Sequence, residues 1–158
     1  MWGDAPNLRT MWWRGVFGVA VVLCGIAAEP RPTTAPVASL SVAVTDLRNT
    51  KGHLRLGAFD RAKGFPRERD AAVLWKSLPA DSTDKAFALD LPPGRYAVVI
   101  LHDENGNKKL DENFLGVPKE GYGVSNNPKP RFRAATFEEA AFELKESGAA
   151  LTISIQYF

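Results

Sequence analysis

From Leu40 onward the chain alternates apolar and polar side chains with a period of two. Leu40, Val42 and Val44 are separated by Ser41, Ala43 and Thr45, and Leu54, Leu56 and Ala58 repeat the pattern. A period of two puts successive side chains on opposite faces, so both runs predict strands with one buried face. Asn49, Lys51 and Gly52 supply turn chemistry between them, so the pair is expected to form a hairpin. The period changes between Pro66 and Leu78, where Ala71, Leu74, Trp75 and Leu78 fall at helical spacing behind Pro66, Glu68 and Asp70; one short helix or helical turn is expected there. Phe87, Leu89 and Leu91 resume the alternation. After the turn Pro92-Pro93-Gly94, Tyr96 to Leu101 is an apolar run rich in valine and isoleucine, which predicts a central strand covered on both faces. A polar, glycine-bearing stretch from His102 to Arg131 follows, too long for a bare connection. The chain closes with Phe142 and Leu144, a turn at Ser147-Gly148, and a last alternating run, Leu151, Ile153, Ile155 and Tyr157. Six or seven short strands with one helical excursion predict an all-β fold, an antiparallel β-sandwich of immunoglobulin-like or transthyretin-like kind.

Residues 1–28 follow a different pattern: Arg9 and Arg14, then an uncharged apolar run from Gly15 to Ala28. This reads as a secretory signal peptide, too short to span a bilayer comfortably, with cleavage after Ala27 or Ala28. An uncleaved signal anchor is the competing reading. Residues 29–36 carry three prolines and form a leader, and 37–158 are expected to be the single folded domain. The protein is therefore expected in the periplasm or secreted, meeting the membrane only during export. Cys24, the one cysteine, lies inside the apolar run behind Val22-Leu23, where a lipidation signal asks for small residues. Removal of the signal leaves no thiol, which excludes disulfides, thiolate zinc sites and cysteine nucleophiles from the mature chain. Twenty basic side chains face 18 acidic ones, interspersed, so nucleic acid is not an expected partner.

The candidate chemistry concentrates after the central strand. Asp103, Asn105, Asn107 and Asp111 occupy positions one, three, five and nine of a D-x-N-x-N-x-x-x-D run, with the backbone carbonyl of Lys109 at position seven, a spacing that brings oxygens together around calcium. Lys108 stands where such a loop wants glycine, and Phe114 where it wants a bidentate carboxylate; Glu112 or Glu120 is the nearest replacement. Aspartate, asparagine and glycine also build turns by bonding to their own backbone, and Lys108 and Lys109 favour that reading by adding positive charge beside the supposed cation. His102 at the strand end is a candidate base or ligand, but neighbours on a strand face opposite ways and His102 is not expected to pair with Asp103. His53 lies at a turn and no serine sits at a nucleophile elbow. A hydrolase would have to work with Asp103, Asp111, Glu112 and Glu120, helped by His102, and no constellation amounts to a recognisable catalytic site.

Leu91-Pro92-Pro93-Gly94-Arg95-Tyr96-Ala97-Val98, His102-Asp103-Glu104-Asn105-Gly106-Asn107, Lys109-Leu110-Asp111, Gly116-Val117-Pro118-Lys119-Glu120, Tyr122-Gly123 and Ser125-Asn126-Asn127 together resemble a secreted bacterial family, domain-of-unknown-function family 2141. The resemblance runs from about Leu40 to Phe158. It implies an exported β-sandwich with a long shared loop; the family has no established activity, so the resemblance does not imply an enzyme. Lys108, in place of a glycine, and the basic run Pro130-Arg131-Phe132-Arg133 depart from the family pattern. The Pro-Pro-Gly-x-Tyr-x-Val turn also resembles that of transthyretin-like and carboxypeptidase regulatory domains, which bears on fold alone. The expectation that follows is a non-enzymatic envelope module that binds an unknown protein or small ligand through residues 102–127. His102, Glu120, Tyr122, Ser125 and Asn126 would face the ligand, and calcium would brace the loop in one version. A periplasmic hydrolase and a purely structural module are the alternatives.

Overall fold

Eight strands and one short helix make up a computed structural model that describes residues 36–129 and 133–158. The signal peptide, its cleavage site, Cys24 and nearly all of the proline-rich leader lie outside the described residues, as do Pro130, Arg131 and Phe132. Strands β1 (Ala38–Thr45), β4 (Ala86–Leu91) and β8 (Ala149–Ser154) form one sheet in the order β4-β1-β8. Strands β3 (Leu74–Pro79), β2 (His53–Phe59), β5 (Gly94–Asp103) and β6 (Gly121–Val124) form the other in that order. Strand β7 (Phe142–Leu144) pairs with the first residues of β5, and β6 with its last, so the two share one edge of β5 in succession. All pairs are antiparallel except β1 with β8. The expected all-β sandwich is what the chain forms.

The alternation explains which faces meet. Leu40, Val42 and Val44 of β1 and Leu54, Leu56 and Ala58 of β2 point into one interior with Phe87, Leu89, Val98, Ile100 and Ile153. Each fully buried leucine or isoleucine contributes roughly 1.5–3 kcal/mol to that interior. Strand β5 is apolar on its other face too, where Ala97, Val99, Phe59 and Val124 are covered by Phe137, Ala140 and Phe65. Its central place matches the sequence expectation, as does its double cover as far as Val99; Leu101, at the end of the run, is left out of that cover.

Two local expectations change, the first in full and the second in part. The runs at Leu40 and Leu54 are not a hairpin: β1 pairs with β4 and β8, β2 with β3 and β5, and residues 46–52 carry the chain between sheets. Two strands with one apolar face each are served as well by facing each other across an interior as by pairing, and alternation does not tell the two apart. Of the short helix or helical turn expected over 66–78, a three-residue 3-10 turn forms, Arg69–Ala71, and β3 takes the positions from Leu74 on that fall at helical spacing. Leu74 and Leu78 share a strand face as readily as a helix face, and Trp75 points the opposite way to lie over Gly57. The helix that does form, α1 (Phe137–Ala140), is capped by Thr136, which accepts from the Glu139 N–H while the Glu139 carboxylate accepts from the Thr136 N–H. Thr136-x-x-Glu139 is the capping-box spacing, so a sequence signal was present.

Strand β6 lies inside the stretch expected to be loop. Its Gly-Tyr-Gly-Val sequence lacks apolar side chains on one face because the chain end occupies that space. A Cβ on Gly121 would stand 2.3 Å from the Tyr157 ring, and one on Gly123 2.5 Å from the Ser154 carbonyl oxygen.

Candidate functional site

The loop from Glu104 to Glu120 leaves β5 and returns as β6, and its own carboxylates hold it. Asp103, the last residue of β5, is fully buried. Its Oδ1 accepts from the Gly106 N–H (2.8 Å), and its Oδ2 from the Lys108 N–H (2.9 Å) and the Arg55 guanidinium (2.5 Å). Burial alone would raise this carboxyl, but Arg55 and the two N–H groups outweigh it and hold it below its ordinary value. Asn105 and Asn107 each accept from the N–H two residues on, and their amide nitrogens donate to the two oxygens of Asp111 at 2.5 and 2.9 Å. Glu120, also buried, takes the Glu104 N–H on one oxygen and the Asp111 N–H on the other, so it spans the mouth of the loop. Burial raises its pKa against those two bonds, and the nearby Asp103 and Asp111 charges push the same way.

Of the residues proposed to hold calcium, Asn105, Asn107 and Asp111 are brought together, with amide nitrogens rather than oxygens facing the carboxylate. Asp103 stands apart, bonded to Arg55. The position of the Lys109 backbone in the run is set by its N–H, which donates to Asn107. Among the described residues no three His, Cys, Asp or Glu side chains cluster as metal ligands.

His102 faces the other way from Asp103, as strand geometry requires, and is fully buried. Its Nε2 lies 2.9 Å from the Lys51 carbonyl and its Nδ1 2.7 Å from the Tyr157 hydroxyl. A carbonyl can only accept, so Nε2 carries the proton and Tyr157 donates to Nδ1; burial raises the Tyr157 phenol and keeps that donor in place. Glu104 accepts from Arg48 (2.8 Å) and Asn49 (3.0 Å), and Arg48 also donates to the Lys119 carbonyl, which ties residues 46–52 to the loop. Ser125 donates to the Ala140 carbonyl (2.5 Å) and accepts from the Val98 N–H (2.9 Å), while Asn126 donates to the Glu139 and Ala141 carbonyls. The polar atoms of His102, Glu120 and Ser125 are thus engaged inside the protein, and the amide nitrogen of the exposed Asn126 is bonded to backbone.

Tyr122 is differently placed. It lies on the outer face of the second sheet opposite Leu101, its ring stacked on Phe158 at 5.5 Å between centroids. The cover over that face, supplied by α1 and residues 65–75, ends near Val99. Beyond it a groove opens, floored by Val99, Leu101 and Leu110 and divided into two adjoining lobes of about 610 and 630 Å³. Volumes of this size suit a small ligand. Arg67 borders both lobes and reaches Glu112 at 3.1 Å, joining residues 64–72 to the loop across the groove. The loop tip is shaped by Asn113, whose side-chain oxygen accepts from the Leu115 and Val117 N–H groups. It leaves Phe114 94% and Leu115 73% exposed. Sequence reading singled out the polar residues of this loop, took Leu101 as the end of the central strand and Leu110 as the residue that pins the loop to the core, and passed over Leu115, whose only signal was apolar character within a polar stretch.

An all-β sandwich that carries a long self-braced loop over an open patch of its outer sheet face belongs to the scaffold-and-loop class of domains. Within that class the family model for the uncharacterised protein conserved in bacteria (DUF2141) matches residues 42–152, from β1 through the loop to β8, and the chain belongs to that family. No curated protein and no solved structure matches it. No helix among the described residues is long and apolar enough to cross a membrane.

Proposed function

We propose that this chain is an exported module of the bacterial envelope, periplasmic or secreted, that binds a ligand in the groove between loop 104–120 and the outer face of β5 and β6 without transforming it. The observation that carries the reading is the groove itself, an apolar floor that the described residues leave uncovered, with walls held by the Arg67–Glu112 pair and the Asn113 turn. A rigid sheet with a loop over it is a common way to present a binding surface. Two of the proposed hydrolase carboxylates, Asp103 and Glu120, are buried and bonded to loop N–H groups, and among the described residues the one carboxylate that reaches across the groove, Glu112, is paired with Arg67, which favours binding over acid-base chemistry. The unknown partner is then a small ligand rather than a protein.

The test is hydrogen exchange on the domain as purified from the periplasm of an expressing bacterium, with and without candidate ligands. Protection is expected at 99–101, 110–118 and 122. A ligand footprint confined to the opposite sheet, or ligand turnover abolished by Glu120→Gln, would overturn the reading.

Calcium bracing is a second reading: Asn105, Asn107 and Asp111 lie together, and both amides would have to turn their oxygens toward the ion. A bound ion would take Asp111 from the two amides and add to the loop's own bonds.

A further inference from the structure

The two lobes of the groove differ in chemistry. One is bordered by Arg55, Arg67, Arg69, Lys108 and Lys109. The other is bordered by Leu115, Val117, Tyr122, Ala134 and Phe158, with Arg133 at its rim. Three of these cations are already matched: Arg55 by Asp103, Arg67 by Glu112 and Arg133 by Glu139. Arg69, Lys108 and Lys109 make no ion pair among the described residues.

Arg69 lies against the Trp75 ring at 5.8 Å, which holds its guanidinium beside the basic lobe. Lys108 has a φ of +68°, a left-handed conformation that costs a side chain with a Cβ about 1 kcal/mol and that glycine adopts freely. A lysine there places positive charge at the groove wall at some expense in backbone energy. At the far end, Leu115 and Phe158 are 73% and 63% exposed, apolar surface in an unusually open position.

We infer that the groove takes a single-chain anionic amphiphile, with its charged head among Arg69, Lys108 and Lys109 and its hydrocarbon tail along Leu101 and Tyr122 toward Leu115 and Phe158. The assignment rests on the groove being the ligand site, as proposed above. It rests further on charge complementarity at one end and apolar complementarity at the other. Unpaired cations gathered around a floor without acidic side chains attract an anion, and the continuous apolar floor between the lobes offers a tail its transfer from water.

The experiment is calorimetric titration of the domain with tetradecanoate below its micelle concentration. Parallel titrations use tetradecyltrimethylammonium, an uncharged tetradecyl maltoside and butyrate. Tetradecanoate is expected to bind best, butyrate not measurably, with affinity rising roughly two- to fourfold per added methylene and falling with salt. Lys108→Glu with Lys109→Glu is expected to weaken tetradecanoate about tenfold and to leave the maltoside unchanged. Leu115→Ser, at an exposed position that does not endanger folding, is expected to weaken both.

If the maltoside or the ammonium binds as tightly as tetradecanoate and Leu115→Ser weakens it, the inference about the ligand falls and the groove stands. If tetradecanoate binds and none of these substitutions moves it, the groove falls as well. Absence of binding by every probe overturns the amphiphile, leaving the exchange footprint to decide on the groove. Binding to anionic phospholipid vesicles that depends on Phe114 and not on Leu101 would replace the amphiphile with a membrane surface.

Discussion

Replacing Asp103 by alanine removes the acceptor on which the loop is built. Three donors converge on that carboxylate: the Arg55 guanidinium at 2.5 Å, the Gly106 N–H at 2.8 Å and the Lys108 N–H at 2.9 Å. The two backbone donors belong to exposed residues and can turn to water, so their loss costs about 0.5 kcal/mol each. Arg55 is the larger part. Its side chain is 14% exposed, and stripping the partner from a buried charge costs about 3–5 kcal/mol, with the lower end fitting a group that still reaches the surface. The sum is about 4 kcal/mol, which for a domain of this size lowers the melting temperature by roughly 15 °C. Urea unfolding followed by circular dichroism at neutral pH measures it, and Arg55→Met with the double variant completes a cycle whose coupling is expected at about 1–2 kcal/mol. The sign with pH follows from the carboxyl lying below its ordinary value in the folded state. Its contribution is complete above the unfolded pKa and is lost as pH falls through the folded one, so the gap between wild type and Asp103→Asn narrows in acid. A loss under about 1 kcal/mol with no coupling to Arg55 would refute the picture of a carboxylate-built loop.

Gly123→Ala is expected to cost about 2 kcal/mol or more, because its Cβ would meet the Ser154 carbonyl oxygen at 2.5 Å and backbone cannot swing aside; chemical denaturation checks it. Glu120 behaves oppositely to Asp103: burial raises its pKa, so its contribution is complete below the ordinary value near 4.5 and is lost as pH rises through the folded value. Wild type should therefore gain stability relative to Glu120→Gln on moving from pH 7 to about pH 4, the ordinary range of a glutamate, and a difference independent of pH would contradict the burial. If calcium braces the loop, millimolar calcium raises the melting temperature of wild type and not of Asp111→Ala; a flat wild-type titration ends that reading.

The alternation of apolar and polar residues was enough to specify an all-β domain, the double cover of β5 and the closing strand, because each depends on side chains a residue or two apart. Asn and Asp spacing likewise announced a braced turn after β5, since those bonds run within the loop. Sheet membership was out of reach. Leu40 and Leu54 bury their faces equally well as pairing strands or as strands facing one another, and only the pairing of β1 with β4 and β8 decides between them. For the same reason Leu74 and Leu78 served a strand where helical spacing was read, and glycines 121 and 123 hid a strand whose inner face is filled by Ile155 and Tyr157. The groove is the furthest from local sequence: Leu101, Leu110 and Tyr122 come from three separate segments, and their joint partial exposure exists because, among the described residues, α1 and residues 65–75 cover one half of the outer sheet and stop. Periodicity reports which way a side chain faces, and what lies opposite it is settled by contacts between residues far apart in the chain.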